Sequence, residues 1–206
     1  MGIVRVAASV SLDGFSAGPH VSEAAPMGVG GERLHRWLFA SDGDRNVAAG
    51  GTTPRAADAE VAAETFRRTG AVIVGRLTYD IGVDLWGDVP FPVPTFVVTS
   101  RPHDPRAMRS DTFTFVTDGI GSALDQARAA AGDRDVLVMG GATVQQQYLA
   151  AGLVDEIEIN LVPVLLHRGV RLLDHTGMGT TELVRTGLVA TDEATHLTFR
   201  IRNDAG

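Results

Sequence analysis

Twice this chain drives a short apolar run into glycine and then straight into a helical pattern: Ala71-Val72-Ile73-Val74 stops at Gly75, and Val136-Leu137-Val138-Met139 stops at Gly140-Gly141. Segments this short and this apolar suit strands buried on both faces, which belong to parallel sheets with helical crossovers. The rhythm extends over most of the sequence. Ile3 to Val10 reads as a buried first strand closed by Asp13-Gly14. A short helix is expected from Glu32 to Ala40, a loop from Ser41 to Arg55, and a second helix behind Pro54 that runs to Arg68 and stops at Gly70. A helix near Thr78 to Gly82 follows, then strands Thr95 to Thr99 and Thr112 to Val116, and a helix from Ser122 to Ala131. Val136 to Met139 is the next strand and Thr143 to Ala151 the next helix.

The tail changes character, with strands expected at Glu156 to Leu166, Glu182 to Ala190 and His196 to Arg202 and no helical pattern between them. These should add antiparallel strands to a mostly parallel sheet. No Gly/Pro linker divides two cores, so residues 1–206 are expected to form one α/β domain.

Two absences exclude chemistry. All 18 basic residues are arginine, so a Walker A loop, a Schiff base and a Ser-x-x-Lys acylase are out of reach. With no cysteine there is no thiolate nucleophile, disulfide, iron–sulfur cluster or thiolate zinc site. A net charge of -7 argues against a nucleic-acid surface and for a small-molecule partner. No long uncharged apolar window and no basic-then-apolar leader is present, so no membrane association and a cytoplasmic location are expected.

In an open α/β sheet, ligands gather at the carboxyl ends of the parallel strands, and three strand ends here carry suggestive residues. At Gly140-Gly141-Ala142-Thr143-Val144 a strand stops and a helix begins; paired glycines admit a phosphate close to the backbone, and the N–H groups and dipole of the helix favour its charge. An ordinary tight turn is the competing explanation. Gly75-Arg76-Leu77-Thr78 repeats the arrangement with a guanidinium and a hydroxyl, which also suit a capped helix with a solvent-facing arginine. Thr99-Ser100-Arg101-Pro102 adds hydroxyls and a second arginine at a strand end that Pro102 terminates. Together they describe a polyanion lying across neighbouring strand ends with two arginines towards one end of it, which suits NADP(H) and its additional phosphate. The G-x-G-x-x-G dinucleotide fingerprint is lacking.

These three motifs, with Ser11-Leu12-Asp13-Gly14 after the first strand and Leu153-Val154-Asp155-Glu156 opening the late strands, resemble the dihydrofolate reductase-like family that includes the reductase domain of bifunctional riboflavin-biosynthesis deaminase-reductases. The resemblance runs from Ile3 to about Ile201. Pro163-Val164-Leu165-Leu166-His167-Arg168-Gly169-Val170-Arg171-Leu172-Leu173 is similar to the family's Pro-Val-Leu-Leu-Gly-x-Gly-x-x-Leu-Phe signature and departs from it at His167 and Leu173. The resemblance implies a three-layer dihydrofolate reductase-like fold, a central mixed sheet and commonly a homodimer. It also implies NADPH bound through Gly75, Arg76, Thr78, Ser100, Arg101, Gly140, Gly141, Ala142, Thr143 and Val144.

Asp13 matches the aspartate of the family's Ser-Leu-Asp-Gly segment, where it would orient substrate or relay a proton; an Asp-Gly turn holding the strand end is the alternative. In folate-reducing relatives an acidic residue on the first helix engages the pterin, whereas Glu32-Arg33-Leu34-His35-Arg36-Trp37 has none in its middle. Trp37 and Trp86 would wall a flat heterocycle or serve as core aromatics. Asn160 interrupts the Ile157, Ile159, Leu161 alternation and points either into the pocket or to solvent.

Three decoys are set aside. Gly14-Phe15-Ser16-Ala17-Gly18 fits G-x-S-x-G, but Pro19-His20 follow where a helix is required. Asp42, Asp44 and Asn46 begin like a calcium loop, but Val47 replaces its glycine. The six histidines show no metal-binding spacing, and no metal is expected. The zinc deaminase module cannot be built without cysteine. The expectation is therefore an NADPH-dependent reductase of a pyrimidine- or pterin-type heterocycle, the alternatives being a non-catalytic nucleotide-binding dimeric scaffold or a reductase of an unrelated carbonyl or imine metabolite.

Overall fold

Eleven strands and four α-helices are present among the residues described by the structure, a computed structural model covering 2–38, 56–86, 92–104, 106–107, 112–174, 176–177 and 179–202. The order is β1 (Val4–Ser11), β2 (Phe15–Ala17), a 3-10 helix (Gly31–Leu38), α1 (Ala56–Arg68), β3 (Thr69–Gly75), α2 (Arg76–Trp86), β4 (Thr95–Val98), β5 (Arg106–Ala107) and β6 (Thr112–Val116). Then come α3 (Gly119–Ala131), β7 (Asp135–Gly140), α4 (Ala142–Ala150), β8 (Glu156–Val162), β9 (Val170–Arg171), β10 (Leu183–Ala190) and β11 (Thr195–Ile201). The expected loop Ser41 to Arg55, the end of the first helix at Phe39 and Ala40, and the side chain of Trp86 lie outside the described residues.

Nine strands form one sheet in the order β10-β11-β8-β1-β7-β3-β4-β6-β5. The strands from β8 to β6 run parallel; β11 pairs antiparallel with β8, β10 antiparallel with β11, and β5 antiparallel with β6 at the other edge. This is the expected α/β architecture, with the antiparallel strands supplied by the C-terminal segments. Alternation divides the side chains between two faces. Val4, Val6, Ile73, Val136 and Val138 share a core with Ala123, Leu124 and Ala127 of α3 and with Val144 and Tyr148 of α4. On the opposite face Val72, Val74, Val97 and Leu137 pack under Tyr79 and Val83 of α2. A third cluster joins Leu34 and Trp37 of the 3-10 helix to Ala62 of α1 and Val162 of β8. Helices on both sides of a sheet make the three layers.

Two local expectations are corrected, and one strand pair is new. The first helix is a 3-10 helix, Gly31–Leu38, in which Leu34 and Trp37, three residues apart, stack on the same side. The late strand ends at Val162, because Pro163 has no N–H for the ladder. The short antiparallel pair β2–β9 was not expected, because its strands have three and two residues and no readable alternation. At the amino ends of β1, β7 and β8, Arg5 is fully buried among Glu158, Asp135 at 3.1 Å and the Thr69 hydroxyl at 3.0 Å. Among the described residues no helix is long and apolar enough to cross a membrane.

Candidate active site

β1 remains paired with β8 from Arg5 to Ser11, but its pairing with β7 stops at Val6↔Val138. Beyond that level β1 and β7 part. Gln145 of α4 fills the gap, its buried Nε2 donating to the carbonyls of Ala7 at 3.0 Å, Val138 at 3.1 Å and Met139 at 3.3 Å. The chain leaves β1 for strands on one side of it and later returns by β8 on the other, so this is the topological switch point where a crevice is expected. Ala7 and Met139 are half-buried there, at the edge of the α2 cluster, while the 3-10 helix and α1 cover the β8 side of the same face. A groove between the two apolar clusters therefore has β1 and β7 as its floor.

The three glycine and arginine motifs meet beside this groove. Register places Val74 opposite Gly140 and Gly75 opposite Val98, so Gly140-Gly141, Gly75 and Thr99-Ser100-Arg101 end three adjacent parallel strands, β7, β3 and β4. Packing at Gly75 and Gly141 leaves little room for a side chain. A Cβ on Gly75 would lie 2.8 Å from Val144 Cγ2, and one on Gly141 would lie 3.0 Å from Thr78 Oγ1. Gly140 has φ +153°, a conformation that glycine adopts without penalty, and the Gly140–Gly141 peptide is cis. Gly141 caps α4 without any side-chain hydrogen bond, while its carbonyl accepts from Val144 and Gln145. The first N–H groups of α4, from Ala142 and Thr143, have no helical acceptor of their own and suit an anion. Half-buried Gly141 and Ala142 at a helix N-terminus, with exposed Ser100 and Arg101 at a neighbouring strand end, fit a dinucleotide phosphate chain.

Arg76 pairs with Asp80 at 2.6 Å and lies over the rings of Tyr79 and Phe115, 5.8 and 5.7 Å from their centres. Since Phe115 belongs to β6, the guanidinium leans towards the β4–β6 side, where Ser100 and Arg101 are exposed. Thr99 Oγ1 accepts the Arg101 N–H at 3.1 Å and shapes that turn.

Asp13 is committed to its surroundings. Oδ1 accepts the Ser11 hydroxyl at 2.6 Å and the Leu166 N–H at 3.1 Å, and Oδ2 accepts the His167 N–H at 2.7 Å. The Ser11 hydroxyl is the largest influence on its acidity; with the two backbone donors it holds the carboxyl at about 2 against a smaller opposing effect of burial. An anion so held ties the Pro163–His167 segment to the end of β1. Trp37, expected as a possible wall for a ligand, is placed in the core: it is 6% exposed, donates from Nε1 to Ser9 Oγ at 2.9 Å and meets the His196 ring edge-on at 4.8 Å. Asn160 is half-buried, beside Ser9 on β1 and His196 on β11, with its Oδ1 2.7 Å from His196 Nδ1.

Gln145, Asp58 and His196 went unrecognised in the sequence. His196 had a weak signal, since alternation along Thr195-His196-Leu197-Thr198 sets it on the face away from Leu197; Asp58 read only as an acid in the first turn of a helix.

The fold is shared with solved structures. A putative riboflavin biosynthesis protein from Shewanella sp. PV-4 is 20% identical, with a TM-score of 0.69 over 98% of this chain and 99% of that one. A pyrimidine reductase-like protein from Corynebacterium diphtheriae is 14% identical, with a TM-score of 0.61 over 98% and 93%. Dihydrofolate reductase from Enterococcus faecalis, complexed with NADP(H) and RAB-propyl, is 14% identical, with a TM-score of 0.57 over 98% and 98%. No curated protein sequence matches the chain. The RibD C-terminal domain model matches residues 3–197, and with the sheet order and the glycine-lined strand ends in place, the chain belongs to that family.

Proposed function

We propose that the chain is a cytoplasmic NADPH-dependent reductase that reduces a flat pyrimidine- or pterin-type heterocycle. The observation that carries this reading is the convergence of Gly75, Gly140-Gly141 and Ser100-Arg101 on three adjacent strand ends beside the Ala7–Met139 groove. Family membership and the printed names of the structural neighbours, one of them bound to NADP(H), support it.

NADPH would supply the hydride. The α4 N-terminus and Thr78 would bind the pyrophosphate, and Arg76, Ser100 and Arg101 the additional phosphate. The half-buried Ala7 and Met139 would give a flat ring an apolar floor, Asn160 would bind the substrate, and Asp13 would hold the adjoining Pro163–His167 wall in place. Alignment and exclusion of water are the protein's main contributions to such a transfer. We also propose a homodimer, in keeping with exposed Leu165, Leu173 and Leu188.

The test is NADPH titration followed by nicotinamide fluorescence, then NADPH oxidation across a panel of pyrimidines and pterins. Saturable binding and oxidation with one of them are expected. No binding at submillimolar cofactor overturns the reading, and binding without oxidation across the panel favours the non-catalytic nucleotide-binding alternative.

A further inference from the structure

Where the ladder between β1 and β7 stops at Val6↔Val138, the backbone groups that face the parting lose their strand partners. Gln145 answers part of that loss from the first turn of α4, where its own N–H is bonded to the Gly141 carbonyl at 3.2 Å. The residue is 3% exposed, and its Nε2 donates to the carbonyls of Ala7, Val138 and Met139. Each of those neighbours is a backbone carbonyl, which accepts and never donates, so the amino group of the amide lies on that side and no ionisable group enters the assignment. Turned over, the amide would set its oxygen against three others, a mismatch that burial makes costly. Oε1 is thereby fixed on the opposite edge. Among the described residues no donor lies within hydrogen-bond distance of it, and it is not sealed in protein.

We propose that this oxygen opens on the groove and accepts an N–H of the nicotinamide carboxamide, which makes Gln145 the residue that fixes the cofactor's ring. The proposal rests on the NADPH reading of the site. The N–H groups that would hold the pyrophosphate belong to the same first turn of α4 as Gln145. Ala7 and Met139, whose carbonyls the amide grips, form the floor on which the ring would lie. The side chain therefore reaches from the phosphate end of the site to its ring end. On the nicotinamide ring the carboxamide carries the N–H donors. A ring held through its phosphates and again at its carboxamide cannot turn about its ribose bond, so one face stays presented to the substrate.

The test compares NADPH with its reduced acetylpyridine analogue, in which a methyl ketone replaces the carboxamide and no N–H remains on the ring, by calorimetric titration of the full chain. NADPH is expected to bind about tenfold more tightly, the scale of one buried hydrogen bond. Gln145→Met keeps the length of the side chain and removes the acceptor, and it should bring the two affinities within about threefold of each other. Any disturbance of the parted strands weakens both cofactors alike, so the ratio isolates the contact. Gln147→Leu, exposed on the same helix, should leave the tenfold ratio unchanged. Equal binding of the two by the unaltered protein overturns the proposal, the outcome expected if a ribose hydroxyl or the substrate were the donor. A preference that persists in Gln145→Met overturns it as well. Should that variant not fold, the carbon-13 resonance of the Gln145 side-chain carbonyl in the unaltered protein decides: a downfield shift with NADPH and none with the analogue is expected, and equal shifts overturn the contact. If neither cofactor binds, the cofactor reading falls and takes the proposal with it; if both bind without discrimination, the proposal falls alone.

Discussion

The carboxylate of Asp13 accepts the backbone N–H of His167 at 2.7 Å, joining the end of the first strand to a segment 154 residues later. Leu166 donates to the other oxygen, and Arg171 Nη1 reaches back to the Asp13 carbonyl at 3.0 Å. Replacing Asp13 by alanine removes all three side-chain hydrogen bonds at once. Faster amide exchange at Leu166 and His167 is expected, together with protease cleavage between Pro163 and Leu173. Because the carboxyl is held at about 2, Asp13→Asn should leave the pH profile of turnover unchanged above pH 5. Loss of an ionisation from that profile would return Asp13 to a proton-transfer role.

The tightest constraint at the strand ends is steric. Gly75→Ala would drive a methyl to 2.8 Å from Val144 Cγ2, and Gly141→Ala would set one 3.0 Å from Thr78 Oγ1. Overpacking of this kind costs about 1–3 kcal/mol. Gly75→Ala is expected to lower stability by that amount in urea melts and to weaken NADPH at least about fivefold by displacing the α4 start. Gly132→Ala serves as control: its Cβ would meet nothing within 4 Å, although its φ of +62° carries a strain cost of its own, and cofactor affinity should not change.

Arg76 and Arg101 end neighbouring strands on the side of the site that Phe115 marks. Substituting either with alanine should weaken NADPH about tenfold or more and NADH by less than about twofold, since only NADPH carries the extra phosphate. Equal losses for both cofactors, measured by fluorescence titration, would remove the arginines from that role. Because Arg76 already pairs with Asp80, Asp80→Asn should strengthen NADPH binding modestly, by freeing the guanidinium.

The rhythm of short strands, glycines and helices was enough to read the α/β class, and individual motifs such as Gly140-Gly141 could be placed at strand ends. Their adjacency could not be read. β3, β4 and β7 occur in that order along the chain, yet β7 lies beside β3 and opposite β4 because the crossover after β6 returns to the middle of the sheet. Two buried polar residues near the candidate site were invisible for a related reason. Gln145 carries meaning only once β1 and β7 part and leave carbonyls unpaired, and His196 only once β11 sets it beside Asn160. Single residues whose role depends on partners 36 or 138 positions away leave no local pattern. Trp37 shows the converse, since its size permitted wall or core and only packing against Ser9 and His196 decided it.

Towards the amino end of β1, two residues before Ala7, Arg5 is fully buried and shares Asp135 and Glu158 with Arg68, which also reaches Glu156 at 2.8 Å. Arg5→Ala would leave carboxylates at the amino ends of β7 and β8 facing a void with only the half-buried Arg68 to balance them. Breaking one partner out of such a pair costs about 3–5 kcal/mol. Urea denaturation should show a loss of that size, with NADPH affinity of the folded fraction unchanged. Arg5→Met, which fills the void without restoring the charge, is expected to recover only part of it.

Acid sensitivity should centre on His35. Burial in the 3-10 helix pushes its imidazole down to about 4 from an ordinary 6.5, against a smaller upward pull from the Gly31 carbonyl. Between those values the unfolded chain takes up a proton that the folded one refuses, so stability rises with pH across this window and falls as pH drops. The contribution is intact above about 6.5 and is progressively lost as pH approaches 4. By pH 5 the loss amounts to about 1–2 kcal/mol. Asp13, depressed from 3.8 to about 2, adds its own loss only below 3.8, so the two groups act in separate ranges. His35→Gln removes the titration while keeping a polar side chain of similar reach. Melting temperatures recorded from pH 7.5 to 4.5 should fall steeply in the unaltered protein and more gently in His35→Gln, with the curves converging at the acid end. Parallel curves would show that His35 takes up its proton in the folded state and that acid destabilisation lies elsewhere.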